Sequence, residues 1–249
     1  MPESNVHLYD KLFKKTLTLS PIAVVNLING LFGTDYSADS SITYHWTEFE
    51  SEELRRTLAD TILTIGGTGG SRSYHIEAQM TRDDEIILRV FEYGFEQAMR
   101  YKGQEDGTWS LKFPSPMVVY LCAGNSLPDE YQLLLDFGEQ GTFLYRVPVI
   151  RFQSLSAEEI NERKLAALLP FRLLKLRENI RKNRSEKNVE ALKNLIQSDI
   201  IMNINRNLSA GNITQNDAYK MMRYTQKLYD HVYSRYEELE ELNRLKNKT

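Results

Sequence analysis

The chain has 249 residues, of which 41% are hydrophobic and 26% charged, and its formal net charge is −3. These proportions are those of a folded globular protein and exclude a disordered or low-complexity chain, while the length allows one large domain with an appendage. No run approaches the ~18 apolar residues of a membrane span, and the start MPESNVHLYDK has neither the basic nor the apolar stretch of a secretory signal, so the expectation is a cytoplasmic protein without a membrane partner.

In chain order, Leu8, Leu12, Phe13 and Leu17 recur at helical spacing, and a second helix restarts at Ser20-Pro21, a capping serine followed by a proline suited to the first turn. That helix, IAVVNLINGLF, is expected to stop near Gly30 or Gly33. Aromatic and β-branched residues make ITYHWTEF, residues 42–49, a strand. A second strand is expected from about Arg56 to Ile65, turning through GGTGGS into a third, SYHIEAQM, at 73–80. No Gly-Lys-Ser/Thr follows the glycines, so they form a hairpin turn and no phosphate loop. A helix is expected from Thr81–Asp84 to about Tyr101, with acidic residues in its first turn.

Strands then follow at 116–123, 131–137 and 144–152, the last containing Pro148, which argues for an edge or a bulge. Cys122, the lone cysteine, excludes an internal disulfide and lies in the apolar run MVVYLC, where a free thiol is normally core. From Ser156 the pattern becomes helical, opening on a capping box with Glu159 and continuing near 156–183, 187–207 and 214–246, with LSAGN as a turn. The expected class is α/β: a core over 1–155 of helix, three strands, helix and further strands, and a helical C-terminal region over 156–249.

Charge divides along the same line. Residues 1–155 hold 13 Lys/Arg against 21 Asp/Glu, and residues 156–249 hold 18 against 13. The densest basic run, Arg163 to Lys187, has 9 basic and 2 acidic side chains, enough to attract a polyanion if they share a face, and otherwise an ordinary solvated helix surface.

Asp60 is the unusual residue of the second strand, a carboxylate set in LADTILTI between apolar neighbours. On the third strand, the period of two puts His75, Glu77 and Gln79 on one face and Tyr74, Ile76, Ala78 and Met80 on the other. If the glycine turn makes the two strands antiparallel neighbours, Asp60 and Glu77 converge on an oxygen-ligand site suited to Mg²⁺ or Mn²⁺. The plain alternative is that each acid pairs with a nearby arginine.

Asp60 followed 17 positions later by Glu-Ala-Gln resembles the PD-(D/E)XK nuclease signature in its Gln-bearing variant. YDKLFKKTL, LADTILTI, HIEAQMTRDDEIILRVFEYGFEQAMR and YRVPVIRFQSLSAEEINERKLAALLPF resemble the PD-(D/E)XK family transposases, relatives of the recombination-promoting nucleases, over about residues 8–172. The resemblance implies a restriction-endonuclease-like core and a metal-dependent DNA endonuclease linked to transposition or recombination. It implies metal ligands at Asp60 and Glu77, Gln79 in the slot of the usual Lys, and an acidic residue in the first helix at Asp10. Arg89 and Tyr93, four apart on one helix face, would meet the active site or the scissile phosphate. DNA is the expected partner, gripped by Arg177, Arg181, Lys182 and Arg184, and a homodimer is compatible with the sequence. Gln79 is neutral, so transition-state charge would fall to the metal or Arg89. The alternative is a catalytically inactive nuclease-fold protein that binds DNA or a protein partner through its helical tail.

Overall fold

The structure is a computed structural model, which describes residues 3–45, 48–49, 57–58, 61–67, 70–122, 126–183 and 185–233. It is a mixed α/β protein built as two compact units, one of residues 1–38, 121–123 and 152–249, the other of 39–120 and 124–151. The second unit holds the strands. They are β1 (Ser41–His45), β2 (Glu48–Phe49), β3 (Thr57–Leu58), β4 (Thr61–Gly67), β5 (Gly70–Gln79), β6 (Gly103–Glu105), β7 (Thr108–Ser110), β8 (Ser115–Tyr120), β9 (Glu130–Asp136) and β10 (Thr142–Arg151). Six of them form one sheet in the order β1-β4-β5-β8-β10-β9, and β2-β3 and β6-β7 are separate ribbons.

The sheet is mixed. β1, β4 and β5 form an antiparallel meander, with Gly67 opposite Gly70 where the glycine-rich turn closes. β8 lies parallel to β5, as a strand reached by a helical crossover must, and that crossover is α3 (Ile86–Arg100). β10 runs antiparallel to β9 over Thr142–Pro148 and parallel to β8 over Val149–Arg151. Pro148 therefore marks the place where the strand changes partner, which accommodates a residue lacking a backbone N–H.

One face of the sheet is covered by α3. Its Ile86, Ile87 and Val90 pack with Val118 and Tyr120 of β8 and Tyr145 and Val147 of β10 in one buried cluster. Phe91, Phe113 and Tyr145 extend it as a ring cluster, with centroids 5.4 to 6.3 Å apart. Along β5, Tyr74, His75, Ile76 and Glu77 are all buried, so this strand is covered on both faces.

Four differences from the sequence reading lie in this unit, one being that the strand expected from about Arg56 to Ile65 is described as β3, in the ribbon with β2, and β4, in the sheet. The helix expected from Thr81 begins at Ile86, because Asp83 accepts from the Glu85 backbone N–H and holds a turn there. The strand expected over 42–49 is described as β1 and the separate β2, and β6-β7 was not expected at all. The β6-β7 turn has Asp106 and Gly107 at φ +47° and +79°, the left-handed pair that a tight hairpin requires.

The other unit is helical: α1 (Glu3–Thr16), α2 (Pro21–Phe32), α4 (Ala157–Glu162), α5 (Arg177–Lys182), α6 (Glu186–Asn194), α7 (Met202–Ser209) and α8 (Gln215–Tyr233). The first two helices, read from the sequence with the residues 1–155, thus cluster by contact with the later helices. The restart at Pro21 and the Ser156–Glu159 capping box are as expected. Gly33, at φ +65°, ends α2, while Gly30 serves another purpose. A Cβ there would stand 1.9 Å from the Arg163 carbonyl oxygen, and the Arg163 guanidinium donates to the Gly30 carbonyl at 2.9 and 3.1 Å.

The single helix expected over 156–183 is three pieces. Lys164 is left-handed at φ +55°, and Ala166–Leu176 is a 3-10 segment around Pro170, whose missing N–H disfavours a regular α-helical turn. Ala166 to Leu174 are all buried, Arg172 included, and Phe13 of α1 packs on Phe171 at 6.3 Å. Arg172 donates from Nη2 to Asp199 at 3.1 Å and from Nη1 to the Leu155 carbonyl at 3.2 Å. Between α6 and α7 the helix widens to π geometry over Leu195–Ile201, where the Asn203 amide donates to the Ser198 and Asp199 carbonyls. The expected last helix, 214–246, is described as α8, and residues 234–246 lie outside the described residues. Among the described residues no single helix is long and apolar enough to cross a membrane.

Asp217 ties the start of α8 to the start of α2. Its carboxylate accepts from the Ser20 backbone N–H at 2.8 Å, the Ser20 hydroxyl, and the Thr214 N–H and hydroxyl at 2.9 and 2.7 Å. Burial pushes its pKa up, and the hydrogen bonds from Ser20 and Thr214 outweigh that and hold it below the usual aspartate value. A depressed carboxylate pKa contributes stability that is complete above the unfolded value near ~3.9 and is lost as pH falls through the folded value. Asp217→Asn should therefore lower stability by about 2 kcal/mol at pH 7. Urea denaturation should show that gap closing on acidification below about pH 4, and a gap independent of pH would contradict the assignment.

Candidate functional site

The double-sided burial of β5 decides what can stand near its C-terminal end. His75, Glu77 and Gln79 alternate onto the face covered by α3, and α3 runs back along that face from Ile86, so its first turns lie over this end of the strand. Glu77 is 3% exposed. Its Oε1 accepts from Gln79 Nε2 at 3.0 Å and from Arg89 Nη2 at 3.2 Å. Arg89 also reaches Asp83 Oδ2 with Nη1 at 3.3 Å, so one guanidinium joins the loop before α3 to the strand beneath it.

Glu77 Oε2 is different. It is buried, accepts no hydrogen bond among the described residues, and lies 3.9 Å from His75 Nε2. Burial pushes the His75 pKa down, against the opposing pull of the Glu77 carboxylate and the Val90 backbone, so the imidazole is neutral at neutral pH. A neutral ring at that distance does not supply the missing partner. Tyr93, one turn after Arg89, packs its ring on His75 with centroids 6.2 Å apart and a 58° tilt.

Of the residues singled out in the sequence, Glu77, Gln79 and Arg89 come together, and Tyr93 adjoins them through His75. Asp60 lies outside the described residues. Asp10, in α1, makes an i, i+4 ion pair with Lys14 at 3.1 Å. The strand pattern put His75 on the face of Glu77 without giving it a role. Asp83 was read only as an acid of a helix first turn, and its contact with Arg89 has no sequence signature. Among the described residues no three His, Cys, Asp or Glu side chains gather as a metal cluster.

The basic run Arg163–Lys187 is partly consumed within its own unit. Arg163 holds the Gly30 carbonyl and Arg172 is buried against Asp199. Arg177 is half-buried, 5.8 Å over the Tyr9 ring, and Arg181 pairs with Glu178 at 2.8 Å. Lys182 is exposed, and Arg184 lies outside the described residues. Cys122, expected in the core, is half-buried, and burial pushes its thiol pKa up against the charge of Arg177.

Compared with family models, with curated proteins and with solved structures, the chain matches none of them.

The Glu77–Arg89 pair has an energetic signature. Removing either partner leaves the other poorly satisfied, and removing both does not, so a double-mutant cycle of Glu77→Gln and Arg89→Met should return a coupling of about 1 to 2 kcal/mol in urea denaturation. The lower part of the buried-pair range is expected because the Arg89 side chain is 39% exposed. Strictly additive effects would show that the pair carries no net interaction.

Proposed function

We propose that this protein is a metal-dependent DNA endonuclease of the PD-(D/E)XK type, with Glu77 as a metal-binding carboxylate. The observation that carries this reading is the buried Glu77 carboxylate, with one oxygen held by Gln79 and Arg89 and the other without a hydrogen-bond partner among the described residues. Leaving a buried carboxylate oxygen unmet costs about 1 to 3 kcal/mol or more, and a hard divalent cation is the partner that an all-oxygen donor satisfies best.

Local topology supports the reading. An antiparallel meander β1-β4-β5, then a helix, then β8 parallel to β5, is the arrangement expected of a restriction-endonuclease-like core. The β4–β5 ladder begins at the pair Thr61–Ile76, so the start of β4 lies beside the residue that precedes Glu77. Asp60, backbone carbonyls and water are the further ligands proposed for Mg²⁺ or Mn²⁺. When bound, such an ion supplies Lewis-acid activation of water and stabilises the leaving oxygen.

The chain's own groups have separate tasks. Gln79 donates to Glu77 and offers its amide oxygen to orient water, without adding charge. Arg89 is paired with Glu77, and on exchanging its carboxylates for a phosphate it would stabilise charge on the reacting group. Asp10 and Tyr93 are proposed for supporting roles on the resemblance alone. Arg177, Arg181, Lys182 and Arg184 are proposed to grip the DNA backbone, with affinity falling as salt rises.

A second reading, a catalytically inactive relative that binds DNA or a protein through its helical tail, is favoured by one observation. Arg89 already neutralises both Glu77 and Asp83, as a purely structural ion pair does. Plasmid nicking by the purified protein separates the two readings. The nuclease reading expects nicks in Mg²⁺ or Mn²⁺ and none in EDTA, with a loss of at least ~100-fold in Glu77→Ala and in Asp60→Ala, of the order seen when a stabilising group is removed. Equal nicking by folded Glu77→Ala would end the assignment, and no nicking by the wild-type chain would leave the binding reading.

A further inference from the structure

The two edges of the six-stranded sheet are unlike. β1 has five residues and is mostly polar, SITYH, whereas β9 has seven, EYQLLLD, with three leucines at its centre. Edge strands are normally blunted by a Lys, a Pro, a bulge or shortness, because their open backbone groups invite another strand. β9 has none of these, and its pairing with β10 is unbroken from Glu130 to Asp136.

The ladder shows which backbone groups of β9 are open. The Phe137 N–H donates to the Gly141 carbonyl at 2.9 Å and the Val149 N–H to the Asp129 carbonyl at 3.0 Å. Hydrogen-bonded pairs alternate along an antiparallel ladder, so Tyr131, Leu133 and Leu135, like Asp129 and Phe137, turn their backbone groups to β10. Glu130, Gln132, Leu134 and Asp136 turn theirs outward, and no strand meets them among the described residues. Apolar side chains stand exposed at the far end of the same hairpin, Leu134 at 61%, Phe137 at 59% and, on β10, Phe143 at 58%.

We propose that β9 pairs with β9 of a second copy of this chain, antiparallel about a two-fold axis at Leu134, so that two six-stranded sheets become one. Outward backbone groups must meet outward ones, and the registers that overlap most of the strand then put the axis at Gln132, Leu133 or Leu134. An axis at Leu133 sets Glu130 against the partner's Asp136, and Asp136 against the partner's Glu130, which opposes like charges twice. An axis at Gln132 sets Glu130 against the partner's Leu134 and Asp129 against the partner's Leu135, matching charge with apolar surface.

The axis at Leu134 has neither fault. It sets Leu134 against the partner's Leu134 and Leu133 against the partner's Leu135. The Gln132 amide, one hydrogen of which goes to Glu130, then stands beside the partner's Asp136. About six backbone hydrogen bonds close the pairing, two in each outward pair. Within one chain Tyr145 lies beside Leu133 and Phe143 beside Leu135, on the face that packs under α3. The register therefore continues Tyr145 and Leu133 into the partner's Leu135 and Phe143 as one apolar row across four strands. An edge that matches itself in charge and in apolar pattern at one register points to a second copy and not to a foreign strand. The inference stands apart from the role of Glu77 and needs no metal.

Sedimentation equilibrium of the full chain in reducing buffer tests the pairing. The mass should rise from 28.9 kDa to twice that value as concentration passes through the micromolar range. Leu134→Lys, at an exposed position, sets two like charges face to face on the axis and should weaken association about ten-fold or more. Cysteine pairing in a Cys122→Ser chain under a glutathione redox buffer reads the register. Leu134→Cys alone should cross-link, as should a mixture of Gln132→Cys and Asp136→Cys, because opposed Cα atoms about 5.5 Å apart are within disulfide reach. Gln132→Cys alone should not, since its two copies would stand about 13 Å apart along the strands. A single-chain mass up to about 200 μM would overturn the proposal and leave the edge to a foreign strand. Unchanged association in Leu134→Lys, or Gln132→Cys alone cross-linking as readily as Leu134→Cys, would overturn it too.

Discussion

A carboxylate on a strand buried from both sides must find its partners inside the protein, and the region around Glu77 is organised by that requirement. β5 lies between β4 and β8 in the sheet, with α3 over the face to which Glu77 points. Water is thereby removed from the carboxylate, which meets Gln79 and Arg89 in its place. Arg89 can reach it because α3 starts at Ile86, a start held back by the Asp83 turn. The same burial that brings these groups together leaves Oε2 without a hydrogen-bond partner among the described residues, which is costly for a buried carboxylate oxygen.

In the helical unit much of the buried polar surface is answered locally. Arg172 lies among leucines with Asp199 and the Leu155 carbonyl, and the carbonyls loosened by the π-helical stretch receive Asn203. Asn161, Asn203, Asn207 and Asn212 pass hydrogen bonds from one amide to the next between α4, α7 and the turn before α8. Satisfied networks of this kind specify one packing arrangement. In the sheet unit Glu77 and its neighbour His75 are buried side by side with polar capacity unused among the described residues.

Much of this was legible in the sequence. Period-two alternation placed His75, Glu77 and Gln79 on one face, the Ser20-Pro21 restart and the Ser156–Glu159 box fixed helix starts, and the strands were found within a few residues. These are signals carried by near neighbours in the chain. The β6-β7 hairpin was also announced locally, by Asp106-Gly107, but its strands are too short to show alternation. The break at Pro170 hides in the apolar run Leu165–Phe171, because burial on all sides erases helical periodicity. The contacts of Arg89 with Asp83 and Glu77 depend on the turn between β5 and α3, for which one sequence has no signal. Asp60, a residue on which the sequence reading leaned heavily, lies outside the described residues.

The account turns on whether Glu77 takes a divalent cation in place of part of its bond to Arg89. A crystal of the protein soaked in millimolar Mn²⁺ and measured at a wavelength where manganese scatters anomalously answers this directly. An anomalous peak within about 2.0 to 2.6 Å of a Glu77 carboxylate oxygen is the predicted result. No peak there, with Arg89 still joining Glu77 to Asp83, would contradict it and leave Glu77 as one end of a structural ion pair.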